Sequence, residues 1–366
     1  MACDFISLAT SGVQGLTPYR PGNAGTLGVD NLLMLASNEN PLGAGERAQQ
    51  AAAAHLSRLQ DYPDPSGYAL KTAIVERFGL AYEQITLGNG SNDVLDLIAR
   101  AFLAPGDEAI YAEYGFLVYP IVVQAIGATG VQVPAKDWGH DLPAMAAAVT
   151  AKTKVIFLAN PNNPTGTWFD GSAFTEFMAS VPESVVVVLD EAYTEFNDDV
   201  TVSGLDLVAQ YSNLVVTRSF SKAHGLAALR AGFAVANAQI TDLLNRVRQP
   251  FNMNTLAIYA AAAALFDDAH LAASATMNAQ GMAQLMQGFK SLGLAWIPSK
   301  ANFLTLEVGP EAAKIAQKLK ERGVFVRPLD NYNMPQHLRI TIGLPEQNER
   351  LLDTLAQVIK EVDCGH

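Results

Sequence analysis

Short apolar runs recur through the middle of the chain, at residues 84–87, 108–112, 129–134, 154–159, 185–189, 214–217 and 232–235. Several are continuous instead of alternating, and Val185-Val186-Val187-Val188-Leu189 is the clearest. A strand covered on both faces reads this way, because neither side of it meets water. Helical patterning lies between many of these runs, for instance at 93–102 and 174–180. Seven such strands with helical crossovers predict an α/β architecture: one large, mostly parallel seven-stranded sheet flanked by helices. The last two runs are too closely spaced for a helix, which points to one antiparallel strand.

The two ends of the chain read differently. Up to about residue 40 the sequence is rich in Gly, Pro, Asn and Ser with little periodicity, so residues 1–45 are expected to be an extended N-terminal arm docked on another surface. Residues 46–59, rich in Ala and Gln, predict a helix. Asp61-Tyr62-Pro63-Asp64-Pro65-Ser66-Gly67 then breaks it, as a connector or as a site loop. The large domain is expected over 46–265. Past it come a long Ala- and Met-rich helix at 268–292, strands at 303–308, 324–327 and 338–342, and amphipathic helices at 310–322 and 345–362. These predict a smaller α+β domain over 266–366. Repeats, low-complexity tracts and heptads are absent.

Composition narrows the function. The chain has 366 residues, 49% hydrophobic and 16% charged, enough to bury a sizeable core. Its net charge is −12, from 24 basic and 36 acidic residues. That argues against nucleic-acid and anionic-membrane partners. An anionic ligand must then be met locally, by Arg, helix N-termini or backbone N–H groups. Cys3 and Cys364 stand alone at opposite ends, and the six His lack metal-ligand spacing, so neither a disulfide scaffold nor a metal is expected. No basic and apolar leader opens the chain, and its longest apolar run, 256–266, suits a buried helix better than a membrane span. A soluble, cytoplasmic protein is expected.

In doubly wound sheets the ligand lies at the carboxyl ends of the strands. Gly88-Asn89-Gly90-Ser91-Asn92-Asp93 follows the first run and opens a helix. It is a plain helix cap or a phosphate cradle, and Asp93 spoils a dinucleotide fingerprint. Asn160-Pro161-Asn162-Asn163-Pro164-Thr165-Gly166 is a turn that also offers amide groups to a ligand. Asp190-Glu191-Ala192-Tyr193 places carboxylates at the end of a buried strand, as structural ion pairs or as partners of a buried cation. Ser219-Phe220-Ser221-Lys222 sets a Lys beside two hydroxyls, with Arg230 eight residues on. A Lys is usually a solvated charge, but a desolvated one beside other cations becomes a nucleophilic amine. A Lys, an Asp, an Asn, a Tyr and phosphate donors at neighbouring strand ends are the parts a pyridoxal phosphate site needs.

In this order and spacing the motifs resemble the fold-type I aminotransferases. With Ser37-Asn38-Glu39-Asn40-Pro41, Tyr62-Pro63-Asp64-Pro65 and Arg339-Ile340-Thr341-Ile342-Gly343 they look like the histidinol-phosphate aminotransferases in particular. The resemblance runs from Pro18 to Gly343. It implies pyridoxal 5'-phosphate as cofactor and Lys222 as the residue that binds it covalently and then shuttles the substrate proton. Asp190 would keep the pyridine nitrogen protonated. Asn163 and Tyr193 would contact the phenolic oxygen, and Tyr114 would stack on the ring. Ser91, Asn92, Ser219, Ser221 and Arg230 would hold the phosphate. Tyr62 would reach that phosphate from the neighbouring subunit, which implies a homodimer. Arg339 would clamp a carboxylate with Asn40 and Asn163 in support. Arg327 or Arg339 would meet the phosphate of histidinol phosphate, with Tyr19 lining the same pocket.

The implied reaction is a ping-pong transfer of an amino group between L-histidinol phosphate and 2-oxoglutarate or glutamate. The same chemistry on phenylalanine or tyrosine is the alternative, and Phe116, Phe251, Tyr332 and Trp138 are aromatic residues that the sequence does not place. A pyridoxal phosphate decarboxylase of phosphorylated amino acids has similar motifs. A cofactor-sensing regulator would need an appended DNA-binding domain, for which the arm has no room. Ala228 stands where the family often has Gly, and Asn92 departs from its usual turn. His224 is read as a packing or capping residue, with a substrate contact as the alternative.

Overall fold

The computed structural model describes residues 5–17, 31–197 and 203–363. Its strands are β1 (Leu33–Leu35), β2 (Ile85–Gly88), β3 (Glu108–Ala112), β4 (Thr129–Val133), β5 (Thr153–Ala159), β6 (Val186–Asp190), β7 (Leu214–Ser219), β8 (Gly232–Val235), β9 (Ala295–Ile297), β10 (Phe303–Glu307), β11 (Val324–Pro328) and β12 (His337–Thr341). Seven of them form one sheet in the order β2-β8-β7-β6-β5-β3-β4. Only β8 runs antiparallel to its neighbours. The short β7–β8 connection has no room for a crossover helix, as the spacing predicts.

The sheet divides two apolar cores, and the strands supply both by alternation. Ile156 and Leu158 of β5 with Val187 and Leu189 of β6 face one core. Val155 and Phe157 with Val186 and Val188 face the other. This is why these strands read as unbroken apolar runs. The run at 256–266 forms the helix Thr255–Ala264, whose Ala257, Ile258, Ala260, Ala261 and Ala264 are buried. Among the described residues no single helix is long and apolar enough to cross a membrane.

The second sheet has the order β1-β11-β12-β10-β9. One face packs on the helices Asp268–Ser291, Ala312–Glu321 and Pro345–Asp363 through Leu285, Phe289, Leu319, Leu351 and Leu355. Its edge strand β1 comes from the N-terminal segment and pairs in parallel with β11. Neither β1 nor β9 was legible as a strand, because three residues are too few to show a period. The helix expected over 46–59 is Glu46–Ala53, followed by a 3-10 turn Leu56–Arg58. The Ala51 carbonyl, which a continuing helix would give to the His55 N–H, is bonded instead to the His55 ring Nδ1 at 3.0 Å. That ring stacks on Tyr259 at 3.7 Å, so a tertiary contact ends the helix.

Truncating Ile156, fully buried in β5, is expected to cost about 2–5 kcal/mol as Ile156→Ala. The half-exposed Leu243 should change stability by no more than about 0.5 kcal/mol as Leu243→Ala. Urea titration of both variants checks the assignment, and comparable losses would contradict it.

Candidate functional site

The carboxyl ends of the large sheet, residues 36–39 and the outer face of β11 and β12 enclose a cavity of about 270 Å³. Alternation decides what points into it. On β6, Asp190 continues the side of Val186 and Val188, and Glu191 takes the opposite side. On the parallel neighbour β7, Thr217 lies directly opposite Asp190. The Thr217 hydroxyl donates to Asp190 Oδ1 at 3.0 Å, and the Tyr119 hydroxyl donates to Oδ2 at 3.0 Å. Behind the sheet, Glu191 pairs with Arg218 at 2.7 Å, and Arg218 also reaches Glu195 and Ser203. The adjacent carboxylates therefore separate into a structural ion pair and a group facing the cavity. Burial raises the Asp190 pKa to about 6, against the lowering effect of the Thr217 and Tyr119 hydrogen bonds.

Lys222 lies in the loop after β7, where its Nζ donates to the Ser37 carbonyl at 2.9 Å. Burial, and then the positive charges of Arg339 and Arg230, bring its pKa down to about 7, with Glu39 opposing. A substantial share of this amine is neutral near pH 7, which a nucleophile requires.

An anion corner stands beside it. The helix Ser91–Phe102 starts at the cavity, and its N-cap, Gly90, brings no side chain to satisfy the first N–H groups. Gly90 has φ +85°, and a Cβ there would come within 2.5 Å of Arg230 Nη2. Arg230, itself left-handed at φ +57°, donates to Ser221 Oγ at 3.3 Å. Ser219 Oγ accepts from the Ser221 N–H at 3.2 Å. A guanidinium, two hydroxyls and an open helix N-terminus together suit a phosphate. Asp93, by contrast, is structural: its Oδ2 accepts from the Asn89 N–H and from Asn252.

On the opposite wall, the Tyr193 hydroxyl accepts from Asn38 at 2.9 Å and from Asn163 at 3.3 Å. Arg339 donates to Asn163 Oδ1 and, at 2.7 Å, to the Ala36 carbonyl. Arg327 on β11 is directly opposite Arg339 in antiparallel register, and each is only 7% exposed.

Ser91, Asn92, Asn163, Asp190, Tyr193, Ser219, Ser221, Lys222, Arg230, Arg327 and Arg339 thus line one cavity. Asn40 does not join them; its amide donates to the Ala223 carbonyl and Ser274 Oγ, locking the arm to the Lys222 loop and the long helix. Tyr114 also stands outside the lining, with its ring against Trp138 at 5.2 Å, while Phe116 is inside. Tyr62 is 82% exposed and stacks on Phe251, away from its own chain's cavity. Tyr19 lies outside the described residues. His224 packs its buried ring near Phe220, and burial lowers its pKa to about 4.

Sequence reading missed Asn38, Tyr119 and Thr217. Thr217 was within reach, since it closes the apolar run 214–217, whose strand lies beside the one ending in Asp190. Asn38 stands in the Ser37–Pro41 motif, from which the resemblance draws only Asn40, and nothing local marks Tyr119. The set fits pyridoxal phosphate: a phosphate corner, a buried carboxylate for a ring nitrogen, a Tyr–Asn pair for a phenolic oxygen and an amine for a carbonyl. Among the described residues no group of three His, Cys, Asp or Glu could hold a metal ion.

A family model described as aminotransferase class I and II matches residues 30–355. The chain is 54% identical to histidinol-phosphate aminotransferase 2 of Pseudomonas fluorescens, over 98% of this chain and 99% of that one. It is 53% identical to histidinol-phosphate aminotransferase 2 of Pseudomonas aeruginosa, over 97% and 99%. Among solved structures, histidinol-phosphate aminotransferase from Sinorhizobium meliloti in complex with pyridoxal-5'-phosphate matches with TM-score 0.88 and 26% identity, over 96% of this chain and 98% of that one. Aspartate aminotransferase from Thermus thermophilus shares the fold, with TM-score 0.85 and 23% identity over 95% and 98%.

The two shifted groups give a signed pH prediction for the ligand-free protein. The folded-state pKa of Asp190, about 6, exceeds the ordinary aspartate value of 3.8. Its burial therefore costs stability increasingly as pH rises from about 4 to 6, and fully above that. Asp190→Asn should raise the melting temperature at pH 8 and change it little at pH 4; an equal shift at both would refute the sign. The Lys222 pKa of about 7 predicts that reductive labelling of its amine by an aldehyde rises through pH 7 and levels by pH 8. A rise centred near pH 10 would refute it.

Proposed function

The chain belongs to the class I and II aminotransferases, and on that premise we propose that it transfers an amino group between L-histidinol phosphate and 2-oxoglutarate or glutamate on bound pyridoxal phosphate. The observation that carries the substrate is the Arg327–Arg339 pair. Like charges directly opposite on a ladder repel, and burial deepens the cost. A ligand bringing a phosphate dianion, or two carboxylates, offsets that repulsion. Histidinol phosphate brings the first and glutamate the second. Phenylalanine offers one monoanion to two guanidiniums, which disfavours the aromatic alternative.

When bound, pyridoxal phosphate supplies an electron sink for the substrate α carbon. The chain's residues do the rest. Arg230, Ser219, Ser221 and the N–H groups of Ser91 and Asn92 would hold the phosphate and fix the ring's depth. Asp190 would keep a proton on the ring nitrogen. Tyr193 and Asn163 would bond the phenolic oxygen, and Phe116, one of the aromatic residues in the lining, would cover a ring face. Lys222 would attach the cofactor and then carry a proton to and from the substrate. Arg339 and Arg327 would grip the substrate's anionic groups and so align the bond to be broken.

A cytoplasmic homodimer completes the reading. Tyr62 is exposed beside Phe251, and Leu56, Leu59 and Tyr68, near it in sequence, are exposed as well. These suit a partner subunit whose phosphate corner Tyr62 would reach. Light scattering giving the mass of one 39.1 kDa chain would count against it.

The deciding experiment is a half-reaction titration of the yellow cofactor-loaded protein, following loss of its visible band. Histidinol phosphate should discharge it at least about tenfold faster than phenylalanine. Arg327→Ala should lower kcat/KM on histidinol phosphate by about ten- to a hundredfold, the range of a lost charge-assisted contact. Its effect on phenylalanine should be smaller. Faster reaction with phenylalanine would defeat the substrate assignment, and release of carbon dioxide from threonine phosphate would favour decarboxylation.

A further inference from the structure

Tyr119 lies in the helix Val118–Ile126 and is fully buried. Its ring stacks on Phe157 at 4.9 Å and meets the edge of Phe116 at 5.9 Å. A phenylalanine would make the same contacts, so packing alone gives no reason for the hydroxyl. Burying a hydroxyl is unfavourable without a partner. Here the partner is Asp190 Oδ2, at 3.0 Å. Burial and the Asp190 charge push the Tyr119 pKa well above its usual value, so the proton stays on the phenol and the hydrogen bond points at the carboxylate. Thr217 binds the other oxygen at 3.0 Å. The carboxylate is thus fixed at both ends by donors from two elements, a helix and a strand, and both donors favour its anionic form.

We propose that Tyr119 is a positioning residue that holds Asp190 oriented and ionised as the partner of the ring nitrogen of bound pyridoxal phosphate. This rests on the cofactor assignment of the preceding subsection. Asp190 would otherwise be a buried carboxylate with freedom to rotate and a tendency to take up a proton. A protonated Asp190 could not stabilise a protonated ring. Tyr119 also borders the cavity, but its hydroxyl is bonded to Asp190, so the contribution of that bond must vanish for a ligand that lacks the ring nitrogen.

That dependence separates positioning from packing. The test measures binding of pyridoxal phosphate, and of its analogue with carbon in place of the ring nitrogen, to the cofactor-free protein and to Tyr119→Phe. Equilibrium dialysis reads the affinities. Tyr119→Phe should weaken pyridoxal phosphate by about tenfold, the effect of one hydrogen bond to a charged group. It should leave the analogue's affinity unchanged. Equal weakening of both ligands, or of neither, overturns the proposal while the cofactor assignment stands. Failure of the unsubstituted protein to bind pyridoxal phosphate overturns both. Should Tyr119→Phe not fold, 3-fluorotyrosine at position 119 is a stronger donor of nearly the same size. It should tighten pyridoxal phosphate and not the analogue, and any other pattern overturns the proposal.

Discussion

The hydrogen bond between Thr217 and Asp190 joins the last rungs of two neighbouring buried strands, and the site is laid out around it. Because β6 and β7 are parallel and covered on both faces, residue parity has one admissible solution: a slip of one residue would turn Asp190 into the core of Val187 and Leu189 and Glu191 into the cavity. Parity also sends Arg218 to the far side, where it neutralises Glu191. The sheet thereby sorts two consecutive carboxylates into different electrostatic environments with no change of backbone direction.

The second constraint is the way residues 160–166 fasten the two sheets together. Asn163 bonds Tyr193 on the large-sheet side and Arg339 on β12. The Pro164 carbonyl accepts from Thr305 on β10, and the Gly166 carbonyl accepts from the Lys300 N–H at 2.9 Å. Asn38 closes the ring of contacts, bonding Tyr193 through its side chain and Thr341 Oγ1 through its N–H at 3.0 Å. Tyr193 and Arg339 therefore share a hydrogen-bond partner, Asn163, and are linked through that one intervening amide.

Charge supplies the third element. The chain is strongly acidic as a whole, yet Lys222, Arg230, Arg327 and Arg339 converge on one buried cavity. Burial, and then the charges of Arg339 and Arg230, lower the Lys222 pKa, and the gathered positive charge makes the cavity receptive to anions. One arrangement thus lowers the pKa of an amine and concentrates positive charge in the same cavity.

The amino-acid sequence by itself determined the doubly wound sheet, because continuous apolar runs survive only on strands with both faces covered. It also determined most of the residues that line the cavity, because strand ends in such a sheet must meet at one edge and the residues following them can be read off in order. Tertiary structure alone decided the rest. β1 and β9 exist as strands because a neighbour offers an edge, not because three residues have a period. Asn38 faces the cavity and Asn40 does not, since the arm's path is set by Thr341, Ala223 and Ser274, all distant in sequence. Phe116 is in the lining and Tyr114 is not, because the turn before the helix Val118–Ile126 directs one inward and packs the other on Trp138. Tyr119 meets Asp190 across a separation of 71 residues. Such contacts depend on where a helix comes to rest against a sheet, and packing of the whole core, not any local pattern, sets that position.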